Sequence, residues 1–269
     1  MSNLYTCVFS KDRPLQLKAY LDSLFYYSGI QQNQTYVILP SLDEYSGFKE
    51  MYPEIMWIQE KETGGLNKAF RHLIQSLPNH LNLLFGCDDI IFTRFFNTNF
   101  IPELLYSMPD VLGFSLRLGT NLSCHPCPNK PADGTVLKFR WVNSPSHYGW
   151  PFDLMGTVYN VKLVKELLDY RKDPIRVPND IESSGYYFCY DRKLQKQPNM
   201  AMFNMPGCLI AADMNKIQTL YDNKVQGAAG HSIDELKEIY KSGKRIQWQN
   251  YFGIEPKDMF IGDQYFSVA

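Results

Sequence analysis

No stretch of this 269-residue chain approaches the ~20 consecutive apolar residues that cross a bilayer, and residues 1–15 lack the apolar core of an export signal. The expectation is a chain that works where it is made, in the cytoplasm or at the inner face of the membrane. A surplus of either charge is also missing: 27 Lys+Arg stand against 28 Asp+Glu, a formal net charge of −1. That balance argues against a nucleic-acid partner, because neutralising phosphates needs clustered Lys and Arg. Cysteine is sparse at six residues. Cys124-His125-Pro126-Cys127 has the form of half a zinc site, but no second ligand pair stands at a usual spacing, so reduced, buried thiols are expected instead. Internal repeats, low-complexity tracts and long linkers are absent too. Residues 1–269 are therefore expected to form one domain, a size near the ~250–300 residues at which single cores stop growing.

What is present is an ordinary globular composition, 45% hydrophobic and 20% charged. Aromatic residues reach 14%, and rings serve sugar or base stacking as readily as core packing. The order of elements is more informative. Residues 4–10 read as a short buried strand ending in Ser10-Lys11-Asp12-Arg13-Pro14. Leu17, Leu21, Leu24 and Phe25 then recur at helical spacing until Ser28-Gly29. Short strands follow at 36–39 and 56–58, a helix at 66–77 opened by Gly64-Gly65, and a strand at 81–86. Strands alternating with helices through residues 1–92 predict βαβ units in a mostly parallel sheet. Residues 93–269 are less regular. Strands are predicted at 111–116 and 153–159, a Pro-, Asn- and Cys-rich loop at 119–135, and a helix at 161–170. A second helix is predicted at 232–242, with Ser232 and Glu235 forming a capping box.

Asp88-Asp89 directly follows an apolar strand. Adjacent carboxylates there repel and lose hydration, so a cation is expected to compensate them. Mg²⁺ and Mn²⁺ take oxygen ligands, commonly one or two carboxylates plus substrate phosphates, and the carboxyl ends of strands in an open α/β sheet are where ligands bind. The plain alternative is a solvated turn or a helix N-cap. Two further polar loops stand at comparable strand ends. Ser10 to Arg13 could meet an anion with backbone N–H groups and a basic side chain, and Gly64-Gly65-Leu66-Asn67-Lys68 could bring backbone and Lys68 or Arg71 to a phosphate.

With Val8-Phe9-Ser10 and Arg13, the glycine loop before Asn67, and Phe85-Gly86-Cys87-Asp88-Asp89, the chain resembles the GT-A glycosyltransferases. The last motif takes the place of that family's Asp-x-Asp signature, here as Asp-Asp-Ile. The resemblance implies an α/β, Rossmann-like nucleotide-binding mixed sheet flanked by helices, with an irregular C-terminal part. It divides the chain into a nucleotide-sugar-binding half, 1–92, and an acceptor-binding half, 93–269. It also implies a UDP- or GDP-sugar donor, a carbohydrate or glycolipid acceptor, Mn²⁺ or Mg²⁺, and a place in polysaccharide biosynthesis. Phe9, Ser10, Arg13, Gly65, Asn67, Lys68 and Asp88 would hold the nucleotide-sugar, and Asp88, Asp89 and His231 the metal.

The family places an acid on the acceptor side, which in inverting members takes the proton from the acceptor hydroxyl. Pro178-Asn179-Asp180-Ile181-Glu182 is similar to the Pro-Asn-x-Leu-Glu stretch of some bacterial members. On that match Glu182 is the expected base, with Asp180 beside it. Both acids also suit a helix N-terminus capped by Asn179. His231 opens a run through Asp234-Glu235-Leu236, Tyr240, Gly243 and Ile246 that is similar to a C-terminal signature of the same group. Trp150-Pro151-Phe152-Asp153 offers either an aromatic wall for a sugar or a Trp-anchored core turn, and the second reading is preferred. A sugar nucleotidyltransferase and a non-catalytic nucleotide- or sugar-binding module remain as alternatives. The first should carry more Gly and Lys in its opening loop than this chain has.

Overall fold

The computed structural model describes residues 3–123, 134–215, 230–262 and 264–269. Among these residues the strands are β1 (Leu4–Phe9), β2 (Thr35–Leu39), β3 (Met56–Gln59), β4 (Asn82–Cys87), β5 (Ile90–Phe92), β6 (Val111–Ser115), β7 (Val136–Arg140), β8 (Thr157–Asn160), β9 (Asn199–Phe203) and β10 (Leu209–Ala211). The helices are α1 (Pro14–Ser28), α2 (Phe48–Met51), α3 (Glu60–Thr63), α4 (Leu66–Ser76), α5 (Phe100–Ser107), α6 (Val161–Tyr170), α7 (Pro178–Phe188) and α8 (Ile233–Lys241).

Eight strands form one sheet in the order β3-β2-β1-β4-β8-β6-β9-β7, and β10 pairs with β5 in a separate ribbon. The first four strands are mutually parallel, as the βαβ reading predicts. β8 enters antiparallel between β4 and β6, and β6 runs parallel to β9. β4 and β6 therefore point the same way, and their carboxyl ends share one edge of the sheet. The α/β class with a mixed sheet flanked by helices is the expected one.

Both faces are covered. Val8, Val37, Leu39 and Leu84 pack under α1 and α8, while Cys7, Phe9, Ile38, Leu83 and Phe85 pack under α4 and α6. Alternate residues of one strand reach opposite cores, which is why these strands read as continuous apolar runs. The strand order reverses between β1 and β4, so the crevice beyond their carboxyl ends is the topological switch point of the sheet.

The second half departs from the sequence expectation in places. The predicted strand at 153–159 begins only at Thr157, because 153–156 is a turn in which Gly156 takes a left-handed φ of 88°. β7, β9 and α5 went unforeseen. β7 and β9 are five-residue segments whose side chains pair at the far edge of the sheet, too short for periodicity to declare them. Ser232 caps α8 by accepting from the Glu235 N–H at 3.0 Å, but the Glu235 carboxylate turns to His231. Cys124 to Cys127 lie outside the described residues.

Candidate active site

The switch-point crevice gathers four of the sequence-nominated residues. Ser10 and Arg13 follow β1, with Asp12 in a left-handed conformation (φ 58°) that turns the chain into α1, and Pro14 starts the helix with its fixed φ. Asp88 and Asp89 follow β4. The Asp88 N–H donates to the Phe9 carbonyl at 3.1 Å, so the β1–β4 ladder itself carries the acidic pair to the edge.

Asp88 is 2% exposed. Its Oδ2 accepts from the Ser10 hydroxyl at 2.7 Å and from the Lys11 N–H at 3.2 Å, and its Oδ1 lies 3.3 Å from Arg13 Nη1. The same Nη1 donates to Asp89 Oδ2 at 3.2 Å. The cation that compensates the pair among the described residues is thus Arg13. Burial pushes the Asp88 carboxyl above its ordinary range and Asp89 adds to this, while Arg13 and the Ser10 and Lys11 donors oppose it. Burial disfavours the Arg13 charge, yet the two carboxylates outweigh it and hold the guanidinium proton above its ordinary range. Tyr45, from the loop beyond β2, completes the wall: its hydroxyl is 2.7 Å from Ser10 Oγ and accepts from the Arg13 N–H at 3.4 Å.

Asp213 was missed by sequence reasoning. The β5–β10 ribbon brings it in, since the Ala212 N–H donates to the Asp89 carbonyl at 2.8 Å. Burial pushes the Asp213 carboxyl upward; Asp89 adds to the rise and Arg13 opposes it. Asp89 Oδ1 and Asp213 Oδ2 are both buried and accept no hydrogen bond among the described residues. Unpartnered carboxylate oxygens of this kind suit a hard divalent cation that takes oxygen ligands. Among the described residues no three His, Cys, Asp or Glu side chains gather into a metal cage, so a cation here would rest on one or two protein carboxylates. The signal for Asp213 was available, because 208–213 is a short apolar run ending in an acid, the same pattern as residues 83–88.

Glu182 stands on the other flank. It lies in the second turn of α7, which starts at Pro178 rather than being capped by Asn179. Gly185, one turn on, allows the close approach: a Cβ there would sit 2.4 Å from Phe152. That contact sets Glu182 against the 153–156 turn, where the Leu154 N–H donates to its Oε1 at 2.8 Å. Although the residue is partly exposed, its carboxyl faces inward. Burial pushes it up to about 7; the Leu154 N–H and Arg117 pull down, while Asp153 and Asp89 push up. Asp180, 1% exposed, is engaged otherwise: its carboxylate accepts from the Arg176 and Val177 N–H groups at 2.7 and 3.3 Å and lies 3.3 Å from Arg176 Nη2. It is the cap of α7.

The remaining nominees lie apart from this cluster. The Phe9 ring packs in the core, 5.6 Å from Phe70. Asn67 Oδ1 accepts from Arg71 Nε at 3.1 Å and from the Ile175 N–H at 3.2 Å, tying α4 to the connection before α7. Gly65 precedes α4 with φ 103°, and Lys68 lies along Gly64. His231 Nδ1 is 3.0 Å from Glu235 Oε1, its ring packs on Phe266, and its N–H donates to Met214, one residue beyond Asp213. Trp150 is 39% exposed and stacks on Tyr186 at 4.7 Å, so it is not the buried anchor that the core-turn reading expects. Tyr186 is four residues beyond Glu182, on the same face of α7.

No protein-family model matches the chain. It is 24% identical over 96% of its length to "Bifunctional glycosyltransferase pgtA" of Dictyostelium discoideum, and spans 38% of that protein. Among solved structures it is similar to S. aureus TarS, with a TM-score of 0.49 and 14% identity over 80% of this chain and 37% of that one. A 4-diphosphocytidyl-2C-methyl-D-erythritol synthase gives a TM-score of 0.43 and 10% identity over 76% of this chain and 90% of that one. Likenesses of that degree assign no chemistry. In sequence the chain is similar to a glycosyltransferase, and its sheet is of the mixed α/β class that the order of its elements implied.

Proposed function

We propose that this chain transfers a sugar from a nucleotide-sugar donor, a UDP- or GDP-sugar, to a carbohydrate or glycolipid acceptor, with Mn²⁺ or Mg²⁺. The observation that carries this reading is the crevice beyond β1 and β4, where Ser10, Arg13, Asp88 and Asp89 meet at the switch point and Asp89 keeps a buried, unpartnered oxygen. The sequence relationship to a glycosyltransferase along nearly the whole chain supports it.

Asp89 would hold the cation together with Asp213, with Asp88 locked behind by Ser10 and Lys11, while His231 stands outside this cluster against Glu235. When bound, the cation would supply Lewis-acid stabilisation of the leaving diphosphate. Arg13 keeps the two carboxylates from repelling one another before substrate arrives. On the opposite side Glu182 Oε2, which accepts no hydrogen bond among the described residues, would take the proton of the acceptor hydroxyl. The hydroxyl oxygen then bonds to the anomeric carbon as the bond from that carbon to the diphosphate oxygen breaks. A proton affinity near neutrality suits a base that must ionise before reaction and accept a proton during it. Asp180 supports this base by capping its helix. The exposed Trp150–Tyr186 stack beside Glu182 supplies rings against which an acceptor sugar would lie.

The test is to incubate the chain with a panel of UDP- and GDP-sugars, with and without Mn²⁺, and to follow release of nucleoside diphosphate. Metal-dependent release from at least one donor is expected. Metal-dependent nucleotide binding with no turnover of any donor would instead establish a binding module, and release of pyrophosphate from a nucleoside triphosphate and a sugar phosphate a nucleotidyltransferase.

A further inference from the structure

Arg117 and Asp153 form a buried ion pair that no step above uses. Arg117 follows β6, at the same sheet edge as Asp88, and Asp153 opens the turn into β8. Their side chains are 4% and 3% exposed, with Arg117 Nε 3.2 Å from Asp153 Oδ2. Asp153 is fully engaged: Oδ1 accepts from the Met155 N–H at 3.0 Å and Oδ2 from the Thr157 hydroxyl at 2.8 Å, while its own N–H donates to Tyr159 Oη at 2.9 Å. Arg117 is not. Its Nη1 meets only the Met259 sulfur at 3.4 Å, and both Nη2 and Nε are buried with no hydrogen-bond partner among the described residues, so Nε faces Asp153 as a charge rather than as a hydrogen-bond donor.

A buried pair with two guanidinium nitrogens making no hydrogen bond is a poor stabilising device, since well-packed apolar residues of similar volume commonly do as well or better. Its position gives it another use. Asp153 ties down the 153–157 turn through Met155 and Thr157, and Leu154, whose N–H holds Glu182 Oε1, lies between Asp153 and the Met155 N–H that its carboxylate accepts from. We propose that the Arg117–Asp153 pair is the positioning device of the acceptor-side base: it fixes the turn that anchors one oxygen of Glu182 and leaves the other free for the acceptor hydroxyl. This rests on the reading of Glu182 as base. The pair also sets the field at that carboxyl, with Asp153 and Arg117 acting in opposite senses. The other groups facing Glu182 are Asp89 and the buried Cys87 thiol, and His147 lies beyond Arg117.

The test uses the full chain labelled with ¹³C at the glutamate carboxyl, the Glu182 signal being the one lost in Glu182→Gln. Asp153→Asn keeps a side-chain oxygen for the Met155 N–H but removes the charge. Its expected result is a Glu182 titration midpoint lower by about half to one pH unit, faster hydrogen exchange at the Leu154 amide, and donor turnover reduced about tenfold, in line with losses at supporting-shell residues. Arg117→Lys keeps the charge without the fork. It should leave the midpoint near its wild-type place while still loosening the Leu154 amide. A purely structural role would leave the midpoint of any folded variant unmoved. A folded Asp153→Asn chain with the wild-type Glu182 midpoint and Leu154 exchange overturns the inference alone. Undiminished turnover in Glu182→Gln overturns the base reading and this inference with it.

Discussion

At the scale of single residues, Asp89 and Glu182 are the two acids on which the proposed transfer turns, and they differ in what holds them. Asp88 is enclosed by three donor contacts, whereas Asp89 has Arg13 on one oxygen and, among the described residues, nothing on the other. Asp89→Asn removes a charge that repels Asp88 and Asp213, so the fold loses little. Donor turnover is expected to fall by at least about a hundredfold with the melting temperature nearly unchanged, and a large drop in melting temperature would mark Asp89 as structural instead. The adjacent acids, the Ser10–Arg13 loop and Glu182 were legible because each sits in a short local pattern. The Arg117–Asp153 pairing was not, because nothing local marks a charge whose partner stands 36 residues away in the chain; Asp213 closes a short apolar run but its relation to Asp89, 124 residues away, is not written in that run. Arg13 was read for a phosphate, and its first partners proved to be the carboxylates themselves.

At the scale of elements, α7 is the piece on which the proposed acceptor side depends. Its start is fixed by Pro178 and the Asp180 cap, and its distance from the sheet by Gly185 against Phe152, whose ring in turn stacks on Tyr159 at 4.3 Å. Gly185→Ala places a methyl where the Phe152 ring already lies, an overpacking expected to cost about 1–3 kcal/mol in denaturant melts. It should also reduce transfer by moving Glu182 away from Leu154; unchanged stability would show that the helix can retreat freely. Trp150→Ala removes one ring of the Trp150–Tyr186 stack, whose Tyr186 lies on the same helix as Glu182. It is expected to raise the acceptor KM several-fold and leave metal-dependent donor hydrolysis near wild type, whereas equal losses in both would place Trp150 in donor binding. The sequence declared α1, α4 and α6 because their buried faces repeat at helical spacing, and the first four strands because both their faces are buried. β8 was misjudged at its start, since the residues before Thr157 are apolar enough to continue a strand yet are turned by Gly156 and Asp153.

For the whole molecule, the crevice places several carboxyls where folding raises their proton affinity. Glu182 is pushed up to about 7 from its ordinary 4.5 by burial, and burial raises Asp88 and Asp213 as well. For an acid raised on folding, the native state binds the proton more tightly than the unfolded chain. The stabilisation is complete below the unfolded value and disappears as pH climbs through the folded one. The unliganded protein should therefore melt at a higher temperature near pH 5 than near pH 8, with Glu182 responsible for the part lost between about 4.5 and 7. Glu182→Gln should flatten that part of the profile and raise stability at pH 8. A divalent cation with a nucleoside diphosphate acts against the same repulsion from the other direction, because it binds the ionised carboxylates. Its stabilising effect should grow from pH 5.5 to pH 8 and saturate with concentration as mass action requires. Thermal melts across that range, with Mn²⁺ and UDP or GDP added together and separately, would show the two trends crossing. A ligand effect that does not depend on pH would mean that the cation binds away from these carboxyls, and the metal-assisted reading of the crevice would have to be given up.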